Sequence, residues 1–94
     1  MHTLPNLNAR QLTAVLAVAE NRSFIAAAAQ LKVSQPALTR TIKQVETVLG
    51  IDLFARTSRQ VTITAAGKEF VALSERLLTD LRLGVAGIRA QADL

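Results

Sequence analysis

The residues best suited to chemistry in this sequence of 94 residues are hydrogen-bond donors grouped near its middle. Gln35, Arg40 and Lys43 carry amide, guanidinium and ammonium groups, which can donate to base edges or to phosphates. Ala37 and Thr39 lie between them and are small enough to let a partner approach closely. Donors and small residues combined in this way suit a helix that reads the edge of a nucleic-acid duplex.

The element that must position these side chains is a helix predicted from Gln35 to about Leu49. Ser34 is a suitable N-cap, Pro36 is tolerated in a first turn, and Gly50 suits the position just after a helix. At about 100° per residue, the apolar side chains fall within roughly a 60° arc, and the polar ones in an arc centred about 120° away. The apolar arc contains Leu38, Ile42, Val45 and Leu49, and the polar arc contains Gln35, Pro36, Thr39, Arg40 and Lys43.

Two further helices are predicted before this one. The first is capped at Asn8, with Gln11 at the capping-box spacing, and runs to about Glu20. The second is a short alanine-rich helix over residues 24–31, capped by Ser23, and a short turn follows it. Two short helices joined by a few residues, the second with a donor-rich face, are the arrangement that major-groove reading requires.

The basic charge of the chain is concentrated in the same region. The formal net charge is +4 and the sequence pI is about 10.8. Residues 32–68 contain six basic and two acidic side chains, whereas the remainder contains five of each. A localised positive surface is the electrostatic footprint expected for a polyanion. A randomly basic surface is the alternative on charge alone.

Two short strands are predicted over residues 52–54 and 61–64, the second from its alternation and β-branched content. The segment 55–60 between them is polar and contains Arg56 and Arg59. A basic hairpin tip beside a DNA-reading helix is a wing that reaches phosphates or the minor groove. A solvated loop is the alternative interpretation of these two arginines.

The last predicted helix is the longest and runs from Ala65, after Thr64 as its cap, to about Gln91. At 1.5 Å per residue it would be roughly 40 Å long, which exceeds what a small aliphatic core can cover. Its far half is therefore expected to pack against a second copy of the chain. The apolar stripe, at steps of three and four residues, includes Phe70, Leu73, Leu77, Leu81, Val85 and Ile88.

Composition excludes several other classes of protein. The absence of cysteine and the single histidine exclude disulfides and a zinc site, so no metal or cofactor is expected. No apolar run approaches the roughly 20 residues of a membrane span, and no signal-peptide pattern is present, so a soluble cytoplasmic protein is expected. The sequence offers no acid pair, nucleophile–histidine set or phosphate-binding glycine loop, so no enzymatic activity is expected.

An ordered series of residues spans nearly all of residues 8–70 and is specific as a whole. The series contains Ser23, Phe24, Ala27, Ala28, Leu31, Val33, Ser34, Gln35, Pro36, Ala37, Leu38, Thr39, Arg40, Ile42, Glu46, Leu49, Gly50, Leu53, Phe54, Arg56, Arg59, Thr64, Ala66 and Gly67. With this series, the chain resembles the N-terminal DNA-binding region of LysR-type transcriptional regulators.

The resemblance implies a mainly α fold with a small β-hairpin. A winged helix-turn-helix domain would occupy residues 1–64, and a linker helix over residues 65–94 would pair with its twin in an antiparallel dimer. The implied function is sequence-specific binding to double-stranded DNA in bacterial transcriptional control. Matched DNA-contact positions are Gln35, Pro36, Ala37, Thr39 and Arg40, with Arg56 in the wing, and Ser34, Lys43 and Arg59 are added as further candidates.

The resemblance also implies partners. A dimer of this kind would bind an interrupted palindromic operator. Family members continue into a larger α/β domain that binds a small-molecule inducer, and nothing in this sequence encodes it, so DNA binding without a response to inducer is expected. A winged-helix adaptor that binds only protein is the alternative, but the localised charge argues against it.

Overall fold

A computed structural model describes residues 4–56 and 60–93 of the chain. Within these ranges, helices dominate and a single antiparallel hairpin interrupts them, which confirms the mainly α fold with a small β-hairpin. The elements are α1 (Ala9–Asn21), α2 (Phe24–Leu31), α3 (Gln35–Leu49), β1 (Phe54–Arg56), β2 (Val61–Ile63) and α4 (Ala65–Ala92).

Each helix begins after a residue whose side chain accepts a hydrogen bond from the first turn. At α1, the Asn8 side chain accepts the Gln11 N–H at 2.8 Å, and the Gln11 side chain accepts the Asn8 N–H at 2.9 Å. Ser23, Ser34 and Thr64 cap α2, α3 and α4 in the same position. These bonds satisfy N–H groups that lack partners within the helix. All four predicted helix starts are confirmed.

The first strand lies two residues later than its predicted position. The prediction was residues 52–54, which was wrong, because β1 is Phe54–Arg56. It pairs antiparallel with β2, and the register places Arg56 opposite Val61. Ala55 and Arg56, which were expected in the loop, therefore belong to the strand.

The backbone just before β1 is bonded to helices rather than to the sheet. The Glu46 carboxylate of α3 accepts the N–H groups of Leu53 at 2.8 Å and Phe54 at 3.3 Å. The carbonyl oxygens of the same segment bond to Thr64, the N-cap of α4. The Thr64 hydroxyl donates to the Asp52 carbonyl oxygen at 2.7 Å, and the Thr64 N–H donates to the Leu53 carbonyl oxygen at 3.0 Å. Sheet pairing begins only at Phe54 because the preceding backbone groups are already bonded to α3 and to the N-cap of α4.

The core lies where α1, α2 and α3 meet, and the hairpin and the first turns of α4 close it. α1 packs against all three other helices, so it buries a wider face than the stripe of Leu12, Val15, Leu16 and Ala19 that helical spacing predicts. Ala14, Ala17 and Val18 are buried, whereas Leu16 and Ala19 are only half-buried. The buried apolar cluster contains Leu12, Ala14, Val15, Ala17, Val18, Phe24, Ala27, Ala28, Leu38, Ile42, Val45, Leu53, Phe54 and Phe70.

Gly67, in the first turn of α4, packs directly against the backbone of Leu53. A Cβ atom at Gly67 would overlap the Leu53 carbonyl oxygen and would lie 2.8 Å from Cγ2 of Ile63. Leu53 is fully buried, and its backbone bonds to Glu46 and to Thr64. Leu53 is thus the point where α3, the hairpin and α4 meet, and this group (Leu53, Glu46, Thr64 and Gly67) is called the Leu53 junction below.

α4 leaves the core soon after it begins. Ser74 is the last buried residue of this helix, which continues to Ala92. Farther along, Leu77, Leu81 and Ile88 are 49%, 57% and 67% exposed. The far half of α4 therefore presents an apolar stripe that the single chain does not cover.

Among helices of the described residues, none combines the length and apolar character that a membrane span requires.

Candidate nucleic-acid interface

The turn between α2 and α3 is built around a left-handed residue. Lys32 has a φ of 58°, a conformation that favours glycine. The N–H groups of Lys32 and Val33 donate to the carbonyl oxygens of Ala29 and Ala28, at 3.2 and 3.0 Å. These bonds close the end of α2, and Ser34 caps α3 directly afterwards. The turn thereby fixes the direction of α3 relative to α2.

The polar arc of α3 faces solvent along the helix, and the apolar arc faces the core. Of the predicted core arc, Leu38, Ile42 and Val45 are buried and Leu49 is half-buried. The exposed candidates are Ser34, Gln35, Pro36, Arg40 and Lys43, and the half-buried ones are Ala37 and Thr39.

Ser34 has a structural task at the start of α3. Its Oγ accepts a hydrogen bond from the Ala37 N–H at 3.2 Å. That bond uses a lone pair of the hydroxyl, so the hydroxyl proton can still be donated to a partner. Ser34 therefore fixes the beginning of α3 and keeps one donor at the same end as Gln35.

A shallow groove beside α3 contains residues that sequence reasoning missed. The groove is lined by Asn6, Gln11, Thr39, Arg40, Lys43, Gln44, Thr47 and Val48. Gln44 follows Arg40 by four residues and Thr47 follows Lys43 by four, so helical spacing was the signal that could have found them. The Thr47 hydroxyl already donates to the Lys43 carbonyl oxygen at 2.8 Å. Gln44 is therefore the main donor added to this face.

The wing arginine is held against α2 by an aromatic contact. The Arg56 guanidinium carbon lies 4.1 Å from the centroid of the Phe24 ring, and Phe24 packs edge-to-face on Phe54 with centroids 6.4 Å apart. A cation over an aromatic face is attracted by the ring quadrupole, so this contact orients an otherwise exposed side chain. The second predicted wing residue, Arg59, lies outside the described residues.

The positive charge near α3 comes from exposed side chains on three elements. Lys32 lies in the turn, Arg40 and Lys43 lie on α3, and Arg56 lies on β1. Across residues 4–56 and 60–93, no group of three or more histidine, aspartate or glutamate side chains is placed to hold a metal ion. The arrangement can bind an anionic surface through hydrogen bonds and charge.

The apolar residues predicted for dimerisation divide into two groups. Phe70 is only 8% exposed and packs in the core of its own chain. The others lie farther along α4 and remain accessible: Leu73, Leu77, Leu81 and Ile88 are exposed, and Val85 is half-buried. Only this second group is open to a partner.

Three packed helices with a tight turn between α2 and α3, followed by a hairpin, define a winged helix-turn-helix domain. A long helix, α4, extends from this domain. The sequence profile of the family described as bacterial regulatory helix-turn-helix protein, lysR family, matches residues 9–68. The chain belongs to this family.

Curated relatives of the chain are transcriptional regulators. It is 46% identical over 74 residues to the uncharacterized HTH-type transcriptional regulator YnfL of Escherichia coli K12, covering 79% of this chain and 25% of the relative. It is 35% identical over 88 residues to the regulator CfxR of Cupriavidus necator, covering 94% of this chain and 28% of the relative. The chain thus spans about a quarter of the length of the curated relatives it matches.

Solved structures match both the domain and the long helix. The DNA-binding domain of BenM in complex with catB site 1 DNA superposes with a TM-score of 0.88 at 36% identity, covering 92% of this chain and 97% of that chain. The DNA-binding domain of CbnR in complex with DNA gives a TM-score of 0.81 at 39% identity, covering 93% and 98%.

Proposed function

We propose that this chain binds double-stranded DNA sequence-specifically as a dimer and serves transcriptional control in the bacterial cytoplasm. The observation that carries the proposal is the exposed donor-rich face of α3, where Arg40 and Lys43 share one groove. Arg56 adds a positive charge beside α2. A protein-binding adaptor with this fold has no need of such a charged face, so that function is not favoured.

The proposed binding mode places α3 in the major groove. Gln35 suits adenine and Arg40 suits guanine as partners for base readout, while Lys43 and Arg56 suit phosphates. Support comes from the BenM and CbnR domains, which share this fold and whose structures contain DNA. Arg59 is retained as a second wing contact on its sequence alone. The other proposed contacts at this surface are Ser34, Pro36, Ala37 and Thr39.

The proposed dimer forms through the exposed part of α4. Leu77, Leu81 and Ile88 fall within about 40° of one another around the helix, so they form one continuous stripe. Their exposure in the single chain favours burial against a second copy, since burying apolar surface stabilises by about 25 cal/mol per Å². Two copies joined along α4 would present two α3 helices to two half-sites, which suits an interrupted palindromic operator.

This arrangement gives the two parts of the chain different proposed roles. Residues 1–64 are proposed as the DNA-binding unit and residues 65–94 as the linker helix that mediates dimerisation. The curated relatives are several times longer than this chain. A response to a small-molecule inducer is therefore proposed to require sequence other than these 94 residues.

Selection of bound duplexes from a random DNA pool tests the function directly. We expect enrichment of a two-fold symmetric site whose half-sites are about one helical turn, or a multiple of it, apart. Binding to every duplex without enrichment would contradict sequence-specific readout. No binding to any duplex at low salt would contradict DNA binding altogether and would favour the adaptor.

Replacing Arg40 with alanine should weaken binding to the selected site by about 1–3 kcal/mol and relax the preference at one base position. The physical reason is the loss of a bidentate donor that distinguishes guanine from the other bases. Fluorescence anisotropy with the selected duplex and its single-base variants measures both effects.

The matched control for Arg40 is Lys43→Ala on the same face. Loss of a phosphate contact should weaken binding to all duplexes by the same factor, without changing the base preference. It should also lower the salt slope, which is the steepness of the fall of log K with the logarithm of the salt concentration, by about one unit. If Arg40→Ala gave this uniform pattern instead, its role in base readout would be rejected.

A further inference from the structure

Glu46 is the single acidic residue of α3, the helix proposed to enter the DNA groove. A carboxylate near a polyanion is repelled by it, so this side chain would be expected to weaken DNA binding through its charge alone. Its contacts indicate a different role. Glu46 is half-buried, and its Oε2 atom accepts two backbone N–H groups, from Leu53 at 2.8 Å and Phe54 at 3.3 Å.

These two bonds attach the root of the wing to α3. Leu53 precedes β1 and Phe54 begins it, so the carboxylate fixes the start of the strand against α3. Two residues farther along β1 is Arg56, whose guanidinium stacks on Phe24. The path from Glu46 to Arg56 therefore runs through these two hydrogen bonds and two residues along β1.

The opposite side of the wing root is held independently. The Leu53 carbonyl oxygen accepts the Thr64 N–H at 3.0 Å, and the Asp52 carbonyl oxygen accepts the Thr64 hydroxyl at 2.7 Å. Without Glu46, the wing would remain attached to α4 through these bonds but would lose its direct attachment to α3. The domain would then keep its fold while the angle between α3 and the wing became less defined.

We propose that Glu46 is a positioning residue for DNA binding, because its carboxylate fixes the wing relative to α3 so that Arg56 and α3 meet the same duplex. This inference rests on the proposed function. In the proposed complex, Glu46 itself does not contact DNA. It acts through the two backbone N–H groups, and the gain in wing contacts exceeds the repulsion by its charge.

Two substitutions separate the geometric role from the electrostatic one. Glu46→Asp keeps the charge but withdraws the carboxylate by one methylene, so the bonds to the wing root are lost. Glu46→Gln removes the charge but keeps an acceptor oxygen at the same reach, and one oxygen suffices because both bonds converge on Oε2. The two roles differ on Glu46→Asp, which should weaken binding if the carboxylate positions the wing and should leave binding unchanged if only its charge acts.

The test measures anisotropy of a fluorescein-labelled mixed-sequence duplex titrated with the 94-residue chain across a series of NaCl concentrations. Glu46→Asp should bind about threefold to tenfold more weakly, with the salt slope lower by about one unit. Glu46→Gln should show the same salt slope as the unsubstituted chain and should bind at least as tightly. Asp52→Asn, which removes an exposed acid near the wing root, is the control for charge alone and should not weaken binding.

The dependence on Arg56 distinguishes positioning from general destabilisation. In an Arg56→Ala background, Glu46→Asp should lower the salt slope no further, because the contact that it positions is already gone. An equal loss in both backgrounds would overturn the proposal, as would a Glu46→Asp variant that binds like the unsubstituted chain. If the unsubstituted chain itself fails to bind duplex at low salt, the proposed function fails instead.

Hydrogen exchange tests the same inference at the two amides themselves, in the unsubstituted chain and in both variants. In the unsubstituted chain and in Glu46→Gln, the amides of Leu53 and Phe54 should be protected, both free and with duplex bound. In Glu46→Asp, where it folds, these two amides should exchange faster while those of α3 do not. Fast exchange of both amides in the unsubstituted chain would overturn the proposal.

Discussion

Replacing Gly67 with alanine is expected to lower the free energy of unfolding by about 1–3 kcal/mol or more. The added methyl group would overlap the Leu53 carbonyl oxygen and press on Ile63. Neither neighbour moves easily, since Leu53 is fully buried and its backbone is hydrogen-bonded to Glu46 and Thr64. Thermal unfolding followed by circular dichroism should show a midpoint lower by roughly 5–20 °C for a domain of this size.

The matched control is Gly87→Ala in the same helix, outside the stripe of Leu77, Leu81 and Ile88, where nothing lies within 4 Å of the added carbon. There, alanine should stabilise by up to about 1 kcal/mol, because it is the better helix former. Both variants should be measured at one protein concentration, since the proposed dimerisation would couple stability to concentration. Equal midpoints for the two variants would mean that α4 can shift away from the hairpin at little cost.

Replacing Leu81 with glutamate is expected to break the proposed dimer and to reduce binding to a two-half-site duplex by about 10²–10⁴-fold. Leu81 is 57% exposed in the single chain and lies within the apolar stripe of α4. A charge at this position would have to be desolvated between two copies, which costs several kcal/mol without a partner. Sedimentation equilibrium would measure the dimer, and anisotropy on duplexes with one or two half-sites would measure the loss of joint binding.

The control for Leu81 is Leu83→Glu. Leu83 is equally exposed, at 58%, but lies about 160° away around the helix, outside the stripe. This variant should remain a dimer and bind the operator normally. A Leu81→Glu variant that sediments as a dimer at the same concentrations as the unsubstituted chain would reject α4 as the dimer contact. A single half-site should bind both variants with similar affinity.

The helices of this fold were predictable because their signals are local. The caps at Asn8, Ser23, Ser34 and Thr64 lie within three residues of the N–H groups that they satisfy, so sequence spacing alone identifies them. The polar face of α3 was equally predictable, since it depends only on the helical repeat. Its neighbour Gln44 was missed, although the same repeat contains it.

The errors arose where distant residues decide the structure. The start of β1 was misplaced because Glu46 and Thr64 bind the backbone before Phe54, and no local pattern records those bonds. Phe70 continues the stripe of α4 by spacing, yet the structure buries it in the core of its own chain. Periodicity gives the side of a helix that is apolar but does not say which neighbour covers it. The stacking of Arg56 on Phe24 likewise follows only from the folded arrangement.

The Leu53 junction also makes α4 a lever arm. The 28 residues of this helix span about 42 Å, so a tilt of about 10° at Gly67 would displace its far end by about 7 Å. In a dimer joined along α4, that angle determines the separation of the two α3 helices and hence the half-site spacing that fits without bending the DNA. Substitutions at the junction should therefore alter which operator spacing is preferred, while substitutions on α3 alter which bases are read.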